Sequence, residues 1–445
     1  MPSTNQITTK KYRMDSQQSA RDKSKSLNVA MVLFLIFPLF RNLLGEIDAV
    51  WFVSMLAGFY IILRSFKLTV VLSASFIAWF AIAIVALVSF LVLGAAATGA
   101  PKRELTFVVT ILLVLSLSTN ENWIRPTMRI ALSLLLVHAL ATLLFAVVPG
   151  IYTGFIKPRF FAGAQDAIGA QSGLTAHYSY NGMLLSAGVL LSAAKLWAAS
   201  DSSKGDVKAL APNAVLLLVF ALALLVTSKR GPLLAVVAAL IIGLYIGSGK
   251  NKFSALIKIG LFACGTAIVV AALSQFVPQI STVFERFAEI TGGLDAADAT
   301  NGRSYLWKRA VELWQSSPII GHGWGTYRYY WEGRLDVATN TAHNVFLNLL
   351  AEVGVAGFVL FLVAAIPPFA GLWRAMSRRG ELGQDAPAVT FAFMFQIFFL
   401  VYSFTGSPLY DIESYIFYLL LSCGVWFALS RNADVGVFFK REGKA

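Results

Sequence analysis

Three short stretches place cations and a histidine where so apolar a chain has few of either: Thr227-Ser228-Lys229-Arg230-Gly231-Pro232, Gly302-Arg303 and His343. Arginine presents a planar fork of N–H donors that grips a phosphate through two bonds at once, and two arginines can hold a pyrophosphate between them. Pro232 suits the first turn of a helix, which puts 228–231 at a helix N-terminus where free amides and the helix dipole favour an anion. Arg303 opens a second helix next to Gly302, whose missing side chain lets a ligand approach the backbone. His343 opens a third, and the positive end of a helix with cations nearby favours the neutral imidazole, which can accept a proton from a hydroxyl. Arg230 and Arg303 as pyrophosphate ligands and His343 as general base are what glycosyl transfer from a lipid diphosphate sugar needs, because the departing diphosphate carries charge that must be stabilised.

Each residue also has a plainer reading. An arginine at a helix end can snorkel to lipid headgroups, and a lone interfacial histidine can be structural. Lys102, Arg103, Lys157, Arg159, Lys229, Arg328 and Arg334 read first as headgroup or loop contacts, with Lys229 and Gly302 kept as weaker members of the site.

The elements that must position these residues are membrane helices. Hydrophobic residues make up 57% of the 445, against 13% charged, which does not describe a water-soluble core with a polar shell. Apolar runs fall at 26–44, 49–63, 68–94, 105–118, 128–149, 181–199, 212–227, 232–248, 253–277, 344–372, 387–405 and 412–430, so the expected fold is an all-α polytopic membrane protein of about 12 transmembrane helices. Sorting Lys and Arg by loop puts both termini in the cytoplasm: alternate loops starting with 1–27 hold 23 of the 36 basic residues and 9 of the 23 acidic ones. The net charge of +13 then reports topology, and gives no reason to invoke nucleic acid.

The organisation expected is a cytoplasmic tail at 1–27, helices one to nine over 28–277 with an outer loop at 150–180, a large periplasmic loop at 278–343, the last three helices over 344–430 and a cytoplasmic tail at 431–445. The polar first 25 residues lack the pattern of a secretory signal and read as disordered, which leaves the first apolar run as an anchor. Within the large loop the spacing of Leu306, Trp307, Ala310, Val311 and Trp314 predicts an amphipathic helix along the outer lipid interface, capped by Asn301 and ended by Pro318. Cys264 and Cys423 lie in apolar runs and read as small buried hydrophobes; no metal ion and no cofactor is expected.

The ordered string Gly302-Arg303, Leu306-Trp307, Ser317-Pro318-Ile319-Ile320-Gly321-His322-Gly323-Trp324-Gly325, His343-Asn344-Val345-Phe346-Leu347 and Glu352-Val353-Gly354-Val355-Ala356-Gly357, with Ser228-Lys229-Arg230-Gly231 upstream, resembles the motif set of the O-antigen ligase and polymerase superfamily. That resemblance implies a metal-independent, GT-C-like transferase acting on an undecaprenyl-diphosphate-linked glycan at the periplasmic side of the bacterial inner membrane. For the ligase it implies transfer to a sugar hydroxyl of lipid A-core with inversion. By the same analogy Arg230 and Arg303 hold the pyrophosphate and His343 activates the acceptor, with Asn344 and Asp411 as weaker candidates; Asp411 reads either as a residue orienting His343 or an arginine, or as an exposed loop acid. The polymerase and the protein O-oligosaccharyltransferase of the same superfamily are the alternatives, the latter disfavoured by the short stretch after the last span. Two readings from other classes stand beside them. One is a 12-helix transporter or flippase, and the other is a metal-dependent enzyme using Glu46 and Asp48 in the first outer loop.

Overall fold

The structure is a computed structural model, and it describes residues 24–40, 43, 48–66, 73–94, 101–160, 170–202, 207–249, 251–253, 257, 260, 303–328 and 341–431. Outside these lie most of the N-terminal tail, most of the run 253–277 (Cys264 included), Glu46, Asn301, Gly302, Arg334 and the C-terminal tail beyond 431.

Every regular element among the described residues is helical. They are α1 (Ser24–Phe40), α2 (Asp48–Ser65), α3 (Ala74–Leu93), α4 (Pro101–Leu117), α5 (Ile124–Val147), α6 (Tyr178–Ser202), α7 (Val207–Val226), α8 (Arg230–Gly247), α9 (Arg303–Ser316), α10 (Val345–Ser377), α11 (Ala386–Tyr402) and α12 (Ile412–Leu429, with a wider π turn at Phe417–Cys423), joined by short turns of helix. Among the described residues seven are long and apolar enough to cross a membrane: α3, α5, α6, α8, α10, α11 and α12. The expected twelve are not reached there, because the apolar stretches of α1, α2 and α7 are only Ser24–Phe40, Ala49–Ser65 and Leu210–Val226, α4 has 17 residues, and most of the run 253–277 lies outside the described residues.

Helix α12 is almost wholly buried and forms the centre with α11 and α6. Its Tyr418 stacks on Phe399 of α11 at 3.9 Å and meets Trp79 of α3 edge-on at 5.9 Å. The peripheral helices are two-faced: α3 buries Phe76, Trp79, Ile82 and Ala86 while exposing Ile77, Ile84, Val88 and Leu91. A helix that is apolar all round, with its backbone bonds satisfied internally, is suited to lipid on its exposed side.

The motif-rich stretch 317–325 is a plug that fits a break in α10. Gly354 interrupts α10 with φ 61° and ψ −167°, a conformation that only glycine adopts without strain. Pro318 and Ile319 carbonyls accept the amides of Val355 (2.9 Å) and Ala356 (3.0 Å) that the break leaves without helical partners, and Gly323 N–H donates to Glu352 O at 2.7 Å. Gly321, also at positive φ, runs so close to α10 that a Cβ on it would fall inside the Glu352–Val353 backbone, and a Cβ on Gly354 inside the Ile319–Ile320 backbone. The Glu352 carboxylate accepts Gly325 N–H at 2.9 Å and Tyr327 N–H at 3.0 Å, and Trp324 lies stacked between Phe107 and Tyr410. The glycines and the glutamate of this motif thus build a joint between loop and helix.

Two expectations need correction here. The amphipathic helix spans 303–316 as read, but its apolar side, Leu306, Ala310 and Leu313, packs on protein: Ala310 and Leu313 cluster with Tyr327, Ala342 and Ala351 of the plug and α10. Arg103 is no headgroup contact; it pairs with Glu104 (Nη2–Oε1 2.5 Å) and faces the Tyr410 ring, in a side chain only 15% exposed.

Candidate functional site

Helices α6, α8, α9 and α10 begin at one end of the bundle, α11 ends there, and their termini bring the sequence-separated candidates together. Lys229 precedes α8 in extended conformation, so Arg230 is the first helical residue. Gly231 behind it is packed closely enough that a Cβ would approach Thr405 Oγ1 at 3.0 Å and Tyr402 Cε2 at 3.3 Å. Arg303 Nη1 donates to the carbonyl of that same Thr405 at 3.1 Å. Thr405, just past the end of α11, therefore holds Arg303 and packs against the residue that follows Arg230, and Arg303 lies in the field of Arg230. Burial is the first cause that lowers the Arg303 pKa, opposed by Tyr402 and reinforced by Arg230. Two guanidiniums gathered in a half-buried place raise the local potential, which suits an anion.

His343 stands on the third side with φ 48°, and Ser228, just before Lys229, has φ 52°; these are the non-glycine residues at positive φ among those described. Such backbone costs of order 1 kcal/mol or more and persists only where the surroundings enforce it. Around His343 they do. Thr341 Oγ1 shares a hydrogen bond with Ser407 Oγ at 2.9 Å, Asn348 Oδ1 accepts Ala342 N–H at 3.1 Å, Trp307 Nε1–H donates to Ala342 O at 3.0 Å, and Val345 N–H donates to Ser403 O at 2.9 Å. Asn344 caps α10, its Oδ1 accepting the amides of Phe346 (3.0 Å) and Leu347 (3.1 Å), so its oxygen is engaged in holding the helix start. The His343 pKa is pulled down to about 4, first by burial and then by Arg303, Lys229, Arg328 and His177. The imidazole is therefore neutral near pH 7 and can accept a proton.

Of the sequence-derived candidates, the structure gathers Arg230, Arg303, His343 and Lys229; Gly302 lies outside the described residues. Asp411 precedes α12 and acts on Tyr402, which also feels Arg303, so its link to the site runs through the arginine side. Arg328, read as a loop contact, acts on His343.

Sequence reasoning missed His177, Tyr178 and Tyr402. Lys229 Nζ sits 4.8 Å from the centre of the Tyr178 ring, and His177 stacks on Tyr178 at 4.2 Å. The one signal for His177 and Tyr178 was a run rich in ring residues, His177-Tyr178-Ser179-Tyr180, just ahead of an apolar span, and Tyr402 had none.

The family described as "O-Antigen ligase" matches residues 214–362, a stretch that holds Arg230, Arg303, His343 and the plug. The chain is also 24% identical over 117 residues to the exopolysaccharide production protein ExoQ of Rhizobium meliloti (strain 1021). That alignment covers 23% of this chain and 26% of the relative, so the chain spans about a quarter of the length of the curated relative it matches. Over residues 214–362 the chain is thus similar to the O-antigen ligase family, and more distantly, over 117 residues, to a protein named for exopolysaccharide production, in a helical fold with seven helices, among the described residues, long and apolar enough to cross a membrane.

Proposed function

We propose that the protein is an O-antigen ligase, transferring a glycan from undecaprenyl diphosphate to a sugar hydroxyl of lipid A-core without a metal ion and with inversion. The observation that carries this reading is Arg303, bonded to Thr405 O and lying in the field of Arg230, beside a neutral His343. Arg230 and Arg303 bind the donor pyrophosphate and stabilise the charge that develops as the glycosyl–phosphate bond breaks. His343 takes the proton of the acceptor hydroxyl as its oxygen attacks the anomeric carbon from the face opposite the diphosphate, and the proton ends on the imidazole. The proposed setting is the bacterial inner membrane, with a GT-C-like bundle of about 12 spans, both termini cytoplasmic and the site at the periplasmic face; the distribution of Lys and Arg supports that orientation.

A second outcome is kept by the relative, whose name concerns exopolysaccharide production: extension of a lipid-linked glycan by the same site. Purified, EDTA-treated protein given undecaprenyl-diphosphate glycan, with and without lipid A-core, separates the two. Glycan joined to lipid A-core is the expected product. Lengthened lipid-linked glycan in the tube without lipid A-core assigns a polymerase, and no product in either tube removes the transferase reading.

A further inference from the structure

The turn before α6 brings a second histidine to the site. Thr175 Oγ1 bonds the carbonyls of Ser172 (2.7 Å) and His177 (2.9 Å), which fixes the turn, and Ser179 N–H donates to His177 Nδ1 at 3.1 Å. A nitrogen that accepts from a backbone amide cannot carry the proton, so the neutral ring is held as the Nε2–H tautomer and offers a donor. The ring stacks on Tyr178 at 4.2 Å and meets Tyr180 edge-on at 6.0 Å. A Cβ on Gly182, on the second turn of α6, would reach Pro232, Thr227 and Lys229 side chains at 3.4 to 3.6 Å, so this wall lies directly against the start of α8. His177 is near enough to Lys229 and His343 for each to act on it or feel it.

This placement has a chemical consequence that rests on reading Arg230 and Arg303 as the pyrophosphate site. In an inverting transfer the sugar being moved stands between the departing phosphate and the incoming hydroxyl, hence between the arginines and His343. A neutral N–H donor on an aromatic wall suits that sugar: its hydroxyl and ring oxygens accept hydrogen bonds without carrying charge, and its C–H faces lie well against rings. We propose that His177 and Tyr178 form the subsite for the first sugar of the donor glycan, with His177 Nε2–H donating to an uncharged sugar oxygen.

Binding distinguishes this from a phosphate contact. The affinity of the detergent-solubilised protein is measured for sugar-free undecaprenyl diphosphate and for undecaprenyl diphosphate carrying one sugar. His177→Asn, which keeps an acceptor for Ser179 but lacks the distal donor, is expected to weaken binding of the sugar-bearing lipid about tenfold, the worth of one good hydrogen bond, and to leave the sugar-free lipid unchanged. His177→Gln, whose amide reaches the place of Nε2, is expected to recover most of that loss. Equal weakening for both lipids, or no weakening for either, overturns the proposal. The pyrophosphate reading fails separately: if Arg303→Gln binds the sugar-free lipid as tightly as the unchanged protein does, that reading is wrong whatever His177 does, and if the unchanged protein binds neither lipid, both fall.

Discussion

At the scale of single residues the account depends on a division of charge: guanidiniums that stay charged, and an imidazole that stays neutral among them. Arg303→Lys keeps the charge but loses the fork and the bond to Thr405 O, so transfer is expected to fall at least about tenfold. The ordinary histidine value of about 6.5 is lowered to about 4 at His343, and Arg303 contributes to the lowering. If His343 is the base proposed above, transfer is expected to persist above about pH 4 and to be lost as pH falls through that value. Replacing Arg303 by glutamine removes one repelling charge, so the His343 pKa rises and the acid limb of the residual activity moves to higher pH. A pH–rate profile of kcat/KM reads this directly, and an unmoved limb would detach Arg303 from His343. The residue types Arg230, Arg303 and His343 were legible in the sequence because helix-start signals surround them. His177 was not, since a histidine in a turn has no periodic context, and its proximity to His343 across more than 160 residues is a product of packing.

At the scale of elements, α9 and α10 act as a unit. Arg303 and Trp307 lie one turn apart on α9, and the indole donates to the carbonyl just before His343, so a single helix sets the place of both the arginine and the base. Trp307→Phe keeps the ring and removes that bond. It is expected to lower kcat several-fold with little change in donor KM, because what is lost is the aim of His343. A proportionate rise in KM would assign Trp307 to donor binding instead. The joint of plug and α10 makes a second expectation. Gly354→Ala places a side chain where Ile319 backbone runs and forces an alanine to positive φ, so its cost is expected to exceed about 3 kcal/mol and to appear as a lower Tm or loss of folded protein. Gly380→Ala, with open space around it, is the control expected to leave Tm unchanged. The helix 303–316 was readable from its period, but the direction of its apolar face was not: the same stripe suits lipid or protein, and only the plug's Tyr327 and the Ala342–Ala351 wall decide it. The break at Gly354 was hidden as well, because Glu352 to Gly357 continues an apolar run without any signal that another loop bonds into it.

At the scale of the whole molecule the site lies at the end of the bundle where the loops carry no excess of Lys and Arg. A membrane-impermeant maleimide applied to intact spheroplasts is expected to label Ser304→Cys, on the exposed side of α9, and to reach Ser377→Cys, at the far end of α10, only after permeabilisation. The reverse pattern would invert the topology and exclude a periplasmic site. The apolar class and the positions of most helices followed from hydropathy alone, since lipid-exposed helices must be apolar whatever they pack against. Where short runs such as α1, α2 and α7 stand relative to a membrane is a matter of tilt and neighbours that composition does not encode.

The central claim is that anion binding and proton removal are done by different residues at one site, and it is tested most directly by measuring donor affinity and turnover together in His343→Ala. Undecaprenyl-diphosphate glycan is expected to bind the variant as tightly as it binds the unchanged protein while transfer to the acceptor is abolished, with Arg230→Gln and Arg303→Gln losing affinity as well as transfer. A His343→Ala protein that loses donor affinity, or that still turns over near the normal rate, would contradict it.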